Sequence, residues 1–309
     1  MITSVFKKST PLNYTLIIIL VLSFFFLYQF QVTNQANSIF EILQKGVSLV
    51  IILGSLFLSN FIVKKNALTK DSIFTLLFYF ILLLFFPSIL NNYTLILSNF
   101  FILLAMRRLV SLQTLKSPKE KIFDASLWIF LATLFHFWAI LFILLVYVSI
   151  IFHVSRDYRN WLIPFVAFFI VSIIFILYSL VFDKTMIGFY LNKSGINLEL
   201  DYFQNDFQNI ALSIFAVFIV FFSSSAIFTL TNKPLNLQAS YKKIIFAFFI
   251  GLTIFIITPN KNNDVLIFTY LPLSVMATNF IEYSQNKIQQ EIVLVASIIL
   301  AFFCFFSQL

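Results

Sequence analysis

The stretch FDASLWIFLATLFHFWAILFILLVYVSIIF, residues 123–152, decides the fold. A hydrocarbon layer roughly 30 Å thick is crossed by about 20 apolar residues in a helix, so this segment is too long for one ordinary pass and short for two full ones. It is read either as one tilted helix or as a hairpin of two short helices turning near His136. The two readings invert every loop that follows, so charge placement discriminates between them. With a hairpin, all basic residues except Lys45, Lys184, Lys193 and Lys261 fall on one side, which is 16 of 20. A single helix moves Arg156, Arg159, Lys233, Lys242, Lys243 and Lys287 to the other side and brings Lys184, Lys193 and Lys261 across, leaving 13 of 20. Cytoplasmic loops carry the excess of lysine and arginine. The hairpin is therefore expected.

Outward from that segment, apolar runs recur near residues 13–30, 44–63, 72–90, 93–109, 161–182, 209–231, 242–258, 264–281 and 291–308. With the hairpin they make about eleven hydrophobic passes. The expected fold is thus all-α: a polytopic transmembrane helical bundle forming a single domain over 1–309. Composition agrees, since 61% of residues are hydrophobic and 10% charged, a balance that no water-soluble domain of this size could bury. The first run follows Lys7 and Lys8 without a small-residue cleavage site before Gln29, and is read as an uncleaved anchor. These features point to a bacterial inner (cytoplasmic) membrane, with the N-terminus cytoplasmic and the C-terminus external.

The net charge of +8 is assigned to anionic headgroups and orientation, not to nucleic acid. The 44 phenylalanines read as compositional drift, not as a stacking platform, and Cys304 reads as lipid-facing filler. No sequence signature of a nucleotide-binding loop, zinc protease or serine hydrolase occurs, no cofactor is implied, and the two histidines are too far apart in sequence to suggest a metal site. No span carries a charge near its middle, which argues against a proton relay. Asn99 and Ser223, Ser224 and Ser225 are expected to act as interhelical or local hydrogen-bonding groups. His136, at the hairpin tip, is placed to meet a phosphate. Arg107 and Arg108, followed by the basic LKSPKEK at 115–121, suit lipid headgroups or phosphates as well as orientation. The segment DKTMIGFYLNKSGINLELDYFQNDFQ, 183–208, is an acidic external loop in which a surface-lying helix is expected.

Residues 258–282, TPNKNNDVLIFTYLPLSVMATNFIE, set a polar turn with Lys261 before Tyr270, Leu271 and Pro272. Together with NFFILLAMRRL at 99–109 and the paired short helices, this resembles membrane-embedded glycosyltransferases that take sugars from polyprenol phosphates. The resemblance covers about a third of the chain. It implies a polyprenol-phosphate sugar as substrate, a phosphate contact from Lys261, and a carboxylate in the first outer loop that acts as general base or positions a metal. That loop, QVTNQANSIFEI, holds no aspartate; Glu41, or an acid of the 183–208 loop such as Asp201 or Asp206, would have to stand in. The chain as a whole also looks like an uncharacterised family of Phe-rich inner-membrane proteins. Two functional classes follow: a lipid-linked sugar transferase of envelope glycan assembly, or a non-enzymatic component that assembles with other envelope membrane proteins. A transporter is the weaker third, because only Gly54 and Gly251 are placed to break a helix.

Overall fold

Backbone groups in hydrocarbon must satisfy each other, so long apolar runs fold as helices and interrupt only where protein covers them. The computed structural model describes residues 2–32, 39–198, 205–259 and 261–309. Among these residues there is no strand, and the α-helices are α1 (Ile2–Phe6), α2 (Pro11–Val32), α3 (Ile39–Lys65), α4 (Phe74–Phe85), α5 (Tyr93–Val110), α6 (Pro118–Phe135), α7 (Ile143–His153), α8 (Arg159–Phe182), α9 (Thr185–Asn192), α10 (Asp206–Thr229), α11 (Leu235–Ile257), α12 (Tyr270–Tyr283) and α13 (Lys287–Ser307). Eight helical stretches are long and apolar enough to cross a membrane. The shorter Phe74–Phe85 and Phe137–His153, with α6, supply the remaining passes. The protein is an all-α membrane bundle.

An ion pair settles the 123–152 segment. Lys119, at the start of α6, meets Asp157, beyond the end of α7, at 3.1 Å. A continuous helix over this stretch would hold those residues about 57 Å apart at 1.5 Å per residue. The chain instead breaks at His136, whose backbone is extended (φ −139°, ψ 108°), passes through a 3₁₀ turn at Phe137–Phe142 and returns as α7.

Helix α4 lies at the centre. Every residue of FTLLFYFILLLF is buried, against α2, α3, α10, α12 and α13. Twelve residues span only about 18 Å, but a helix enclosed by others needs no contact with lipid along its length. Phenylalanines fit these helices together: Phe85 meets Phe215 and Phe218 of α10 edge-on at 5.8 and 5.1 Å, and Phe222 meets Phe78 and Phe280 at 5.8 and 6.0 Å. Such pairs contribute about 0.5–1.5 kcal/mol each beyond area burial, which matters where lipid tails remove most of the hydrophobic drive between helices. Part of the phenylalanine content is thus used in packing, while others such as Phe30, Phe169 and Phe228 lie exposed on the outside of the bundle. Cys304 corrects an expectation: it is buried at 1% exposure, because Leu294, Ser297, Ala301, Cys304 and Phe305 form the helical stripe by which α13 faces inward.

Hydrogen bonds divide the chain reversals between two ends. At one, Phe6 accepts from the Ile73 N–H at 3.2 Å, Ser240 donates to Gln113 at 2.8 Å, and Glu282 accepts from the Lys70 N–H at 2.8 Å and the Ser72 hydroxyl at 2.5 Å. At the other, Gln29 donates to Asn91 at 2.6 Å, Ser88 to Asp264, and Gln308 to the Phe85 carbonyl at 2.8 Å. The first is the basic end.

Candidate functional site

Three spans are interrupted at the end opposite the basic one. Besides the turn after His136, a 3₁₀ turn at Pro87–Asn91 separates α4 from α5, and another at Asn263–Thr269 precedes α12. Each break frees backbone groups that a continuous helix would have satisfied internally, so polar side chains are needed there. They converge. Ser88 donates to Asp264 Oδ1, Asn92 Nδ2 to Oδ2 at 3.3 Å and Asn262 Nδ2 to Oδ2 at 2.9 Å. Asn262 Oδ1 in turn accepts from the Asp264 N–H at 3.2 Å, and the Asn92 side chain caps α5 by accepting from the Leu95 N–H at 3.4 Å. Asp264 is 2% exposed.

Above this carboxylate lies a cavity of about 300 Å³, lined by Asn92, Thr94, His136, Trp138, Lys193, Thr258 and Asn262 among others. The segment after α9 roofs it: Trp138 Nε1 donates to the Gly195 carbonyl at 3.2 Å, and the Asn197 N–H to the Ile257 carbonyl at 3.3 Å. The His136 ring packs on Phe268 at 5.4 Å, with Nε2 3.5 Å from the Thr258 hydroxyl. Beside the cavity runs an apolar groove of about 370 Å³ between α6, α8 and α9, lined by Phe130, Ile140, Phe168, Val171, Phe175 and Tyr190. Phe137 lines both, and its ring meets Tyr190 edge-on at 5.4 Å. The arrangement is a polar chamber with a cation and an imidazole beside an apolar groove, the two sharing Phe137 as a wall.

A family model matches residues 7–309, nearly the whole chain. The chain belongs to DUF6427, a family of unknown function. This identifies the Phe-rich, uncharacterised kinship expected from the sequence. No curated protein and no solved structure matches the chain, so the roles of residues in this DUF6427 member rest on geometry.

Of the residues singled out in the sequence, His136 lines the chamber, and Lys261 lies in the same turn as Asn262, 9% exposed. Arg107 and Arg108 are at the opposite, basic end: Arg108 pairs with Asp124 at 2.8 Å and Arg107 lies over the Phe61 ring at 5.0 Å. These four do not form one site. Glu41 sits in the first turn of α3, one carboxylate oxygen buried with no hydrogen-bond partner among the described residues, and does not line the chamber. Asp206 is exposed in the first turn of α10, and Asp201 lies outside the described residues. Among the described residues no three metal-ligating side chains gather.

Asp264, Asn92 and Lys193 were passed over because Asp264 stands at a span boundary, where charge is ordinary. The signal that could have found it is local: Asn262, Asn263 and Asp264 form a polar run just ahead of an apolar helix, the composition of a capped and broken span. Asn99 bonds across helices, donating to the Tyr79 hydroxyl at 2.9 Å, whereas Ser223 and Ser224 donate to carbonyls of their own helix. Lys243, expected at the basic end of the 242–258 span, is fully buried in α11, donating to the Leu109 carbonyl at 2.6 Å with His153 Nε2 3.1 Å away. In the loop before α11, Lys233 lies 3.4 Å above the Tyr283 ring and donates to Asn279 at 2.8 Å. Burial pushes its ammonium down to about 8; Glu282 opposes this and the like charge of Lys70 adds to it.

Proposed function

We propose that this protein is a lipid-linked sugar transferase of envelope glycan assembly, working on a polyprenol-phosphate sugar at the chamber around His136 and Lys193. The observation that carries the reading is the junction at Phe137, where the polar chamber and the apolar groove share a wall. A ligand with a charged head and a long hydrocarbon tail matches that pair: Lys193 and His136 for the phosphate, Trp138, Asn92 and Asn262 for a sugar, the α6–α8–α9 groove for the tail. Asp264 is the carboxylate of this site. It orients Asn92 and Asn262, a task different from the general-base role that the resemblance implies for Glu41, Asp201 or Asp206.

The position of the chamber supports transfer over transport. Broken helices also build transporter sites, but those lie near the bilayer midplane. Here the breaks coincide with chain reversals at one end of the bundle. In the same reading the membrane is a bacterial inner membrane, the basic end is cytoplasmic because it gathers 16 of the 20 basic residues, and the chamber and the C-terminus face outward.

The test compares polyprenol-linked sugars and surface glycans between a deletion strain and strains carrying Lys193→Ala or Trp138→Ala at verified protein levels. Both variants are expected to accumulate the unused donor as the deletion does. If glycans are unchanged in the deletion strain while complexes of other envelope membrane proteins fall apart, the protein is a scaffold and the chamber has no substrate of this kind.

A further inference from the structure

A second cavity opens at the basic end, about 310 Å³ in volume, enclosed by α1, the turn before α4 and the junction of α12 with α13. Three lysines from three separate segments converge on it: Lys7 after α1, Lys70 before α4, and Lys287 at the first position of α13. Against these three lysines stand, among the described residues, two carboxylates: Glu282, whose oxygens accept from the Ser72 hydroxyl and the Lys70 N–H, and, at the rim, Glu291, which accepts from the N–H and hydroxyl of the lining residue Thr3. The positive charges stay in excess. Lys70 is fixed in place: its Nζ donates to the Glu282 carbonyl at 3.0 Å and lies 4.6 Å from the centre of the Tyr283 ring. Among the described residues, Lys7 and Lys287 enter no ion pair; the pairs formed are Lys64–Asp71, Arg108–Asp124 and Lys119–Asp157.

Cations drawn together around an open space repel one another unless an anion lies between them. The first turn of α13 adds to the field, because its N–H groups leave partial positive charge at the same mouth, where the Asn286 side chain accepts from the Ile288 N–H. We propose that this cavity binds a phosphate group, with Lys7 and Lys287 closing on its oxygens and Lys70 setting the depth. The chemistry suits either the phosphate of an anionic lipid headgroup, whose tail would run along the bundle, or a free phosphate from the aqueous side. This site lies at the opposite end from the chamber and does not depend on what the chamber binds.

Purified full-length protein in detergent decides the matter by thermal melting and native mass spectrometry with three probes: short-chain phosphatidylglycerol, short-chain phosphatidylcholine and inorganic phosphate. Lys7→Ala/Lys287→Ala is compared with wild type and with Lys8→Ala/Lys116→Ala, which removes the same charge outside the cavity. The wild type and the control pair are expected to be stabilised by phosphatidylglycerol or by inorganic phosphate. The cavity pair should lose more than about tenfold in apparent affinity, as expected when two lysines near an anion are removed. Response to phosphatidylglycerol alone assigns the lipid source, and response to inorganic phosphate assigns the soluble one. Equal responses from all three proteins, or stabilisation by phosphatidylcholine as strong as by the anions, would overturn the proposal.

Discussion

Replacing Asp264 by alanine is expected to destabilise the protein by about 3 kcal/mol or more, the largest loss of any single polar substitution in the chamber. Three side-chain donors, from Ser88, Asn92 and Asn262, are aimed at this one buried carboxylate. Hydrogen bonds to a charged acceptor are worth about 1.5–3 kcal/mol each, and a buried donor left unsatisfied costs about 1–3 kcal/mol. Water entering the vacated space recovers part of this, which keeps the total below the sum. Ser88→Ala removes one donor and should cost about 1–2 kcal/mol. Asp264→Asn keeps the volume but turns an NH₂ toward at least one donor, so it should fall between the two. Thermal melting of the purified variants gives the order Asp264→Ala, Asp264→Asn, Ser88→Ala, from least to most stable. An Asp264→Ala protein that melts with the wild type would show that the carboxylate does not tie the 87–92 turn to the 262–269 turn.

Gly251→Val should be nearly as damaging, for a steric reason. A Cβ at Gly251 would lie 2.9 Å from Thr269 Cγ2 and 3.1 Å and 3.2 Å from the carbonyl carbon and oxygen of Phe268. Two of those atoms are backbone, so the neighbour cannot swing aside; α11 and the 263–269 turn must separate. Overpacking of this kind typically costs about 1–3 kcal/mol. Alanine recovers up to about 1 kcal/mol through helix propensity and is therefore milder than valine. Since the displaced turn carries Asp264, the loss should appear in donor turnover as well as in melting. Gly46, in α3, is the contrast: a Cβ there meets nothing within 4 Å, and Gly46→Ala should leave stability unchanged or improved by up to about 1 kcal/mol. Equal melting of Gly251→Val and wild type would mean that α11 and the turn are not in close contact.

Gly251 also shows where sequence reading stops. It could be read from the sequence as a candidate helix break, yet α11 runs through it unbroken, and its lack of a side chain serves the approach of a neighbouring turn. The helical bundle and the reversal at His136 were legible because hydropathy and basic-residue asymmetry are properties of segments, summed over many residues. The chamber was less so. His136 and Lys261 were visible as isolated polar residues, but Asp264 acquires meaning only from Ser88 and Asn92, more than 170 residues earlier in the chain. The burial of Lys243 and Cys304 likewise depends on which face of a nearly uniformly apolar helix turns inward, and lysine or cysteine near the end of such a helix carries no mark of its partner.

The measurement that bears most directly on the central claim is the sidedness of the two ends of the 118–153 hairpin. In a Cys304→Ser background, single cysteines are placed at Ser117, before α6, at Ser155, after α7, and at Lys184, beyond α8. They are reacted with an impermeant maleimide before and after permeabilisation. The structure places positions 117 and 155 at one end of the bundle and 184 at the other; with the basic end cytoplasmic, as proposed above, 117 and 155 react only after permeabilisation, while 184 reacts in intact cells. Labelling of 117 and 155 from opposite sides would contradict it, because the chain would then cross once between them and the chamber built on the break at His136 could not exist.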